Sequence, residues 1–277
     1  MRQRGEALKY AILGIMSLPL VGMYTWLVMN SVSGGVVYGL LPTKFSLSNW
    51  RFLTGPFPFN IGGIKSVWSA TVNSLIVGTG VALVTASVCS LAGYALSRLS
   101  FTGRTAILQV LLALRAFPML ILLIATYFIL YYLGLLDTFL SVILARSAIN
   151  LAFCTWVIKG FFDDVPKEVE EAAMVDGATR FQIWTRIMLP LIKPGLVTVL
   201  ILGFRDGWSD FIFTNTFIFS EAKWTLSMLI YTIVNNPESM DYGLLAALSV
   251  YFMVPAMALY IIGQRGFTQA SMGGAER

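Results

Sequence analysis

The chain has 277 residues, of which 57% are hydrophobic and 12% charged, and its net charge is +5. Soluble domains usually contain about 45–50% apolar residues, so this composition excludes an ordinary soluble protein and indicates an integral membrane protein. The basic residues are spread over short segments between apolar runs, which is typical of topology determinants and argues against a nucleic-acid partner. The chain has no histidine, which removes the commonest general base and metal ligand, so we expect neither a metal site nor a catalytic site.

Six apolar runs are long enough to cross a bilayer, since a spanning helix needs about 20 mostly apolar residues. With so few polar groups in these runs, helices are the only plausible way to satisfy the backbone hydrogen bonds. The pattern therefore predicts an all-α integral membrane protein with six transmembrane helices in a single domain, 1–277. The predicted spans are 10–29, 67–97, 105–133, 138–162, 191–214 and 242–264.

The first span follows a basic start with Arg2, Arg4 and Lys9. Its uncharged core is longer than the apolar region of a signal peptide, so we interpret it as a retained helix, kinked near Pro19. Residues 31–65 then form an external loop.

The third span is interrupted by Arg115 and Pro118, and residues 134–137 make a short external turn before the fourth span. The fifth span is followed by an external stretch, 215–241, that contains an Asn-Asn-Pro turn at 235–237. On this layout, twelve of the nineteen lysines and arginines lie on the cytoplasmic side. This bias predicts a multi-pass protein with both termini in the cytoplasm.

The two cysteines, Cys89 and Cys154, both lie inside apolar runs and have no metal-type spacing. We expect them to be small buried hydrophobic residues.

A charged segment at 163–194 separates the fourth and fifth spans. Carboxylates at Asp163 and Asp164 favour a helix start, and this first short helix is expected to end at about Asp176. Gly177 suits a left-handed helix stop, and Thr179 is expected to cap a second helix. Prolines at 190 and 194 mark the bend into the next span. The segment therefore predicts a cytoplasmic hairpin of two short helices, 163–190.

This hairpin resembles the EAA coupling loop of the membrane subunits of ATP-binding-cassette (ABC) importers. The family pattern of Glu-Ala-Ala, three residues, Gly, nine residues and Ile-any-Leu-Pro is matched without a gap by Glu171, Ala172, Ala173, Gly177, Ile187, Leu189 and Pro190. The alternative is a polar hairpin that merely links two spans.

Other stretches are similar to the carbohydrate-importer branch of this family, typified by the second maltose/trehalose permease subunit. They are Asn73-Ser74, residues 92–104, Phe117-Pro118, the Trp208, Asp210 and Phe211 group, and Gly243 to Pro255. The likeness covers nearly everything after about residue 45. The tail departs from the family pattern because Glu276 and Arg277 follow Gly274 and Ala275, which leaves open whether the tail contacts the ATPases.

The resemblance implies a type I importer fold and a multi-subunit complex in the inner membrane of a prokaryotic cell. Implied partners are a second homologous permease subunit, two ABC ATPase subunits, and an extracytoplasmic sugar-binding protein that contacts residues 217–241. This chain has no phosphate-binding G-x-x-x-x-G-K-[ST] loop, so ATP and Mg would bind to the ATPases and no cofactor to this chain. The implied ATPase-coupling residues are Glu170, Glu171, Ala172, Ala173, Asp176, Gly177, Ile187, Leu189 and Pro190.

Several polar residues lie within the predicted spans. Burying such groups in hydrocarbon costs several kcal/mol unless they pair or face water, so they are candidates to line a substrate pathway. Aromatic faces mixed with carboxylates, amides and arginines suit a neutral sugar. The candidates are Arg115, Arg146, Asn150, Arg205, Asp206, Trp208 and Asp210. The alternative for each is an ion pair that only holds helices together.

The sequence thus favours a permease subunit of an ATP-driven importer of a sugar, such as a trehalose- or maltose-type disaccharide or oligosaccharide. A permease for another substrate class is the first alternative. A self-contained secondary transporter would need a midplane ion site and matched broken helices, and a membrane-embedded enzyme would need a nucleophile with its base. Neither feature is visible in the sequence.

Overall fold

A computed structural model of the protein describes residues 2–37, 41–42, 44–57, 66–235 and 241–273. Its fold is all-α apart from strands β1 (Val36–Val37) and β2 (Leu41–Pro42), which pair antiparallel. The helices are α1 Arg2–Ser31, α2 Val67–Arg98, α3 Arg104–Leu114, α4 Met119–Tyr132, α5 Phe139–Asp163, α6 Lys167–Val175, α7 Arg180–Ile183, α8 Leu189–Leu191, α9 Lys193–Trp208, α10 Ile212–Phe217, α11 Leu226–Asn235 and α12 Tyr242–Gly273. Short 3-10 turns cover Ser48–Leu53 and Glu221–Lys223, and a π-helical turn covers Trp184–Met188.

Within the described residues, four helices are long and apolar enough to cross a membrane, namely α1, α2, α5 and α12. Two bent pairs, α3 with α4 and α7–α8 with α9, bring the number to six when each pair counts as one span. The predicted spans 67–97 and 138–162 agree with α2 and α5 to within one residue.

The predicted third span, 105–133, is not one continuous helix. Helices α3 and α4 meet at an angle of 104° across the break between Leu114 and Met119. Pro118 lies at the amino end of α4, where it lacks an N–H group and disfavours helical geometry in the residue before it. The break thus coincides with the interruption noted in the sequence.

The predicted fifth span, 191–214, is shorter than expected. Helix α9 begins at Lys193, after an 82° bend, and ends at Trp208. Residues 212–217 form the separate helix α10, because the Asp210 carboxylate accepts a hydrogen bond from the backbone N–H of Thr214 at 2.9 Å. The external stretch predicted from residue 215 contains a further helix, α11.

The sixth span starts at Tyr242 as predicted, but α12 continues beyond residue 264 to Gly273. The tail residues 274–277 and the predicted turn residues at 236–237 lie outside the described residues. The same applies to 38–40, 43 and 58–65 of the predicted external loop.

By internal packing the chain forms two compact units, Met1–Trp68 with Leu229–Pro255, and Ser69–Met228 with Ala256–Arg277. In the first unit, the amide of Asn49 donates to the carbonyls of Asn30, Ser31 and Ser33 after the end of α1. The neighbouring Phe52 is buried and packs edge-on against Tyr251. Most described side chains of α1 remain exposed, so this helix offers an apolar surface to its surroundings.

In the second unit, helices α2 and α9 approach closely through small residues. A Cβ on Gly203 of α9 would lie 2.8 Å from the Cα of Ala82 in α2, and one on Gly207 would lie 2.9 Å from the Cα of Gly78. Lipid tails are as apolar as leucine, so helices in a bilayer associate largely through such close van der Waals packing. The spacing of Gly203 and Gly207 thus fixes where α9 crosses α2.

We expect Gly203→Ala to lower the free energy of unfolding by about 1–3 kcal/mol, because the added methyl group has to displace the α2 backbone. Gly160→Ala is the matched control, since a Cβ there would meet nothing within 4 Å and alanine raises helix propensity. Thermal unfolding of the purified protein in detergent measures both. Equal melting temperatures for the two variants would contradict the close α2–α9 packing.

Candidate functional site

The hairpin of residues 163–190 folds largely as predicted. Helix α6 ends at Val175, and Gly177 adopts the left-handed conformation with φ +82°. Thr179 caps α7: its hydroxyl accepts from the Gln182 backbone N–H at 3.3 Å, and the Gln182 side chain accepts from the Thr179 backbone N–H at 2.8 Å. This reciprocal capping box makes the turn between the helices rigid.

A buried ion pair fixes the base of the hairpin. The Arg98 Nε, at the end of α2, lies 2.7 Å from the Glu170 Oε1 of α6, and both side chains are at least nine-tenths buried. The Nε and Oε1 atoms form an ion pair, but their geometry does not meet the angles of a hydrogen bond. Glu170 gains a hydrogen bond from the Tyr94 hydroxyl at 3.2 Å, and Arg98 Nη2 donates to the carbonyls of Phe162 and Val165 at 2.7 and 2.5 Å. Arg98 therefore ties together the ends of α2 and α5 and the start of the hairpin.

A second pair of contacts joins the same helix ends. The Ser97 hydroxyl donates to the Asp163 carboxylate at 2.6 Å, and Lys159 forms an ion pair with the other oxygen of Asp163. Asp163 therefore closes α5 and does not begin the next helix. Pro166 stands at the amino end of α6 instead, and no side chain caps that end.

The hairpin also packs against the interior through apolar side chains. Ala173, Ile183 and Met188 are buried in one hydrophobic cluster with residues of α2, α5 and α9. Its other fully buried members are Ala86, Cys89, Tyr94, Cys154, Ile158, Phe162, Ile192 and Val199. The cysteines thus lie in an apolar core, as expected.

The predicted coupling residues separate into two groups. Glu170 and Ala173 point inward and are 6% and 8% exposed, so they fix the hairpin in place and form no part of its outer surface. Ile187 and Leu189 are half-buried. The exposed members are Glu171, Ala172, Asp176, Gly177 and Pro190.

The tip of the hairpin adds exposed apolar side chains that the family pattern did not identify. Val175 is 88% exposed, Phe181 67% and Met174 42%. Large apolar groups clustered on an exposed turn are typical of a protein contact surface.

The second predicted group, the polar residues within the spans, is brought together only in part. Arg146 of α5 lies 3.8 Å from the Asp206 carboxylate and 3.9 Å from that of Asp210. Asp206 also pairs with the exposed Arg205 at 2.7 Å. The guanidinium of Arg115 lies 4.7 Å from the ring centre of Phe153, apart from these carboxylates.

Arg115 and α5 residues line a cavity of about 370 Å³ between the bent α3–α4 pair and α5. Asn150 lies one turn after Arg146 on α5, and its side-chain nitrogen is buried with no hydrogen-bond partner among the described residues.

Two of the predicted pathway residues are buried within the fold, where they contact other residues of the chain. Trp208 is 1% exposed and stacks on Phe204 with ring centres 5.7 Å apart, so its ring face is not available to a ligand. Asp210 is buried and anchors α10 through Thr214. The ligand-facing interpretation is therefore unsupported for these two side chains.

Sequence reasoning missed three anchoring residues at the ends of α2 and α5 opposite the hairpin. Asn73 of α2 donates to the carbonyls of Ala222 and Trp224, both at 2.9 Å. The hydroxyl of Ser74 accepts from the Leu226 N–H at 2.8 Å. Asn73-Ser74 had been noted as a family likeness, but nothing in the spacing indicated these partners.

Asp137, in the corner between α4 and α5, is the third anchor. Its carboxylate accepts from the backbone N–H groups of Phe219 and Ser220, both at 2.9 Å, and from Lys223 Nζ at 2.7 Å. Burial raises the pKa of Asp137, but these hydrogen bonds outweigh burial and lower the pKa well below its ordinary value. The carboxylate therefore stabilises the fold at neutral pH, and this contribution is lost only as the pH falls below about 4.

The part of the chain that the structure describes contains no group of three or more histidine, cysteine or carboxylate side chains that could hold a metal ion. The arrangement holds a helical hairpin to one end of α2 and α5, and further side-chain anchors lie at the opposite end of the same two helices.

The sequence of the chain is similar to those of several known transport proteins. A trehalose/maltose transport system permease protein of Thermococcus litoralis is 28% identical, covering 98% of each chain. A maltodextrin transport system permease protein of Bacillus subtilis is 30% identical over 91% of this chain and 95% of its own length. A probable ABC transporter permease protein of Pyrococcus horikoshii is 34% identical over 84% of this chain and 82% of its own length.

The fold is similar to that of a solved bacterial ABC transporter involved in the import of the acidic polysaccharide alginate. The TM-score is 0.79 at 21% identity, over 95% of this chain and 96% of that one. Residues 78–265 match the family described as "Binding-protein-dependent transport system inner membrane component". The chain therefore belongs to this family and is a membrane-spanning permease subunit of an ABC importer.

Proposed function

We propose that this chain works beside a second homologous permease subunit, and that two ABC ATPases bind the two subunits from the cytoplasm. The observation that carries the proposal is the construction of the hairpin. Its base is fixed by the buried Arg98–Glu170 pair, whereas its tip exposes Met174 and Val175. A rigid element with an apolar exposed tip suits insertion into a cleft of another protein.

In this proposal ATP and Mg bind to the ATPases. Closure of the ATPase pair displaces the hairpin, and the hairpin displaces α2 and α5, to which Arg98 connects it. Two packings of the spans, open to either side, then interchange as the ATPases close and open. The clustering of basic residues in the predicted cytoplasmic segments supports both termini in the cytoplasm of a prokaryotic cell.

The substrate class we propose is a sugar, as a disaccharide or oligosaccharide, delivered by an extracytoplasmic binding protein. Relatives of this chain are named for trehalose/maltose and maltodextrin transport, and a diacetylchitobiose uptake permease of Streptomyces coelicolor is 29% identical. The polar groups that support a pathway are Arg115, Arg146, Asn150, Arg205 and Asp206. Arginine, amide and carboxylate groups together satisfy sugar hydroxyls without requiring a charged substrate.

Reconstitution in vesicles tests the function. We expect ATP-dependent accumulation of a labelled disaccharide when both permease subunits, the ATPases and the binding protein are present, and none with this chain alone. A panel of mono- and disaccharides identifies the substrate. Accumulation by this polypeptide without partners would instead show a self-contained secondary transporter.

The base of the hairpin gives a second prediction. Glu170→Gln leaves the buried Arg98 without its counter-charge, and breaking a buried ion pair costs about 3 kcal/mol. We expect a lower melting temperature and loss of ATPase copurification. The control is Glu168→Gln, which removes an exposed carboxylate from the same helix. Equal behaviour of the two variants would mean that the pair does not position the hairpin.

The tip gives a third prediction that separates docking from folding. Val175→Asp places a charge on a side chain that is 88% exposed, so we expect an unchanged melting temperature, since exposed substitutions usually alter stability by less than about 0.5 kcal/mol. ATPase copurification and uptake should nevertheless fall, because the charge would be desolvated in the cleft. Val175→Thr, of similar shape, should bind normally. Full ATPase binding by Val175→Asp would exclude the tip from the contact.

A further inference from the structure

The external segment from Phe217 to Leu226, which we call the external platform, is held by side chains from two other elements. From α2, Asn73 donates to the carbonyls of Ala222 and Trp224, and Ser74 accepts from the Leu226 N–H. Asn73 and Ser74 are 9% and 0% exposed. These contacts fix the second half of the platform to α2.

The first half is fixed by Asp137 at the corner between α4 and α5. The Asp137 backbone N–H donates to the Phe217 carbonyl at 2.7 Å, and the Asp137 side chain accepts from the backbone N–H groups of Phe219 and Ser220. The Ser220 hydroxyl donates to the second carboxylate oxygen. Lys223 Nζ donates to the same oxygen and to the Asp137 carbonyl. One residue thus makes six hydrogen bonds to the platform.

Asp137 is also conformationally unusual. Its φ is +55°, and it is the only described non-glycine residue with positive φ. Aspartate and asparagine tolerate this region better than most residues, but it is still unfavourable relative to the ordinary helical or extended conformations. The surrounding hydrogen bonds maintain this conformation, since it turns both the N–H and the carboxylate towards the platform.

We propose that Asp137 is a positioning residue that, together with Asn73 and Ser74 of α2, makes the external platform move as one body with the outer ends of α2 and α5. Resting on the proposed function, this means that a binding protein docked on the platform acts directly on those two helices. The platform presents the exposed side chains of Phe219, Glu221 and Ala222 to such a partner. A flexible loop would instead absorb the contact and leave the helices unmoved.

The chain allows the anchor to be removed without backbone strain. Asp137→Gly deletes the carboxylate, and glycine adopts positive φ readily, so the loss of side-chain bonds is separated from a conformational penalty. Lys223→Met removes the ion pair with the Asp137 carboxylate and the hydrogen bond to the Asp137 carbonyl. For the hydrogen-exchange measurement, Glu221→Gln is the matched control, because it removes an exposed carboxylate of the same segment that contacts neither Asp137 nor α2.

Hydrogen exchange on the assembled complex is the structural readout. We expect the amides of Phe219 and Ser220 to exchange at least about tenfold faster in Asp137→Gly, because each loses a charge-assisted hydrogen bond. Glu221→Gln should exchange like the wild type. Unchanged protection in Asp137→Gly, or faster exchange in Glu221→Gln of the same size, would overturn the anchoring role.

ATPase stimulation by the binding protein is the functional readout. In Asp137→Gly we expect the binding-protein concentration for half-maximal stimulation to rise about tenfold. The rise should be smaller in Lys223→Met. It should also be smaller in Asp137→Asn, because the asparagine oxygen can still accept from the backbone N–H groups of Phe219 and Ser220. Stimulation equal to the wild type in Asp137→Gly would overturn the proposal. If the wild-type complex itself shows no stimulation, the proposed function fails, whereas the exchange result still decides the anchoring role.

Discussion

The buried contact between Arg98 and Glu170 is the interaction on which the hairpin depends. These two opposite charges are almost fully removed from water and lie 2.7 Å apart, and each side chain also has a hydrogen bond to another group. Removing either partner leaves a buried charge, so the pair acts as an all-or-none connection. It fixes the position of α6 relative to α2 and α5.

The same two helices, α2 and α5, are held by side-chain contacts at both ends. At one end Ser97 and Arg98 of α2 contact the end of α5 and the hairpin. Between the ends the helices are in close contact, since a Cβ on Gly80 would lie 2.5 Å from the Ile143 side chain and one on Gly93 would lie 2.8 Å from that of Ile158. At the other end Asn73 and Asp137 contact the external platform. Contacts at both ends and along their length therefore join α2 and α5 into one packed pair.

Apolar length and the capping residues allowed much of this fold to be predicted from sequence. The uncharged runs located α2 and α5, and Gly177 and Thr179 located the hairpin turn, because left-handed φ and capping are local properties of the chain. The third span was predicted with nearly correct ends and an interruption at Pro118, but its 104° bend was not predicted, and the predicted fifth span extended beyond the end of α9, because hydropathy contains no information on bend angles or packing. The inward orientation of Glu170 could not be predicted either, since its partner Arg98 is 72 positions away in the sequence.

The carboxylates that anchor the fold accept close hydrogen bonds, whereas Arg146 is paired with its carboxylates at longer distances. Glu170, Asp137 and Asp210 all accept close hydrogen bonds from named donors. Arg146 is different: its two carboxylates lie 3.8 and 3.9 Å away, beyond hydrogen-bond distance, and its Nε has no hydrogen-bond partner among the described residues.

A buried polar group left without a partner costs several kcal/mol in an apolar environment, so a partner from outside the chain would stabilise such a position. Water, a sugar hydroxyl or the second permease subunit would each supply that partner. Arg146 and the neighbouring Asn150, whose side-chain nitrogen likewise has no hydrogen-bond partner among the described residues, are therefore the polar groups of α5 that would gain most from such a partner.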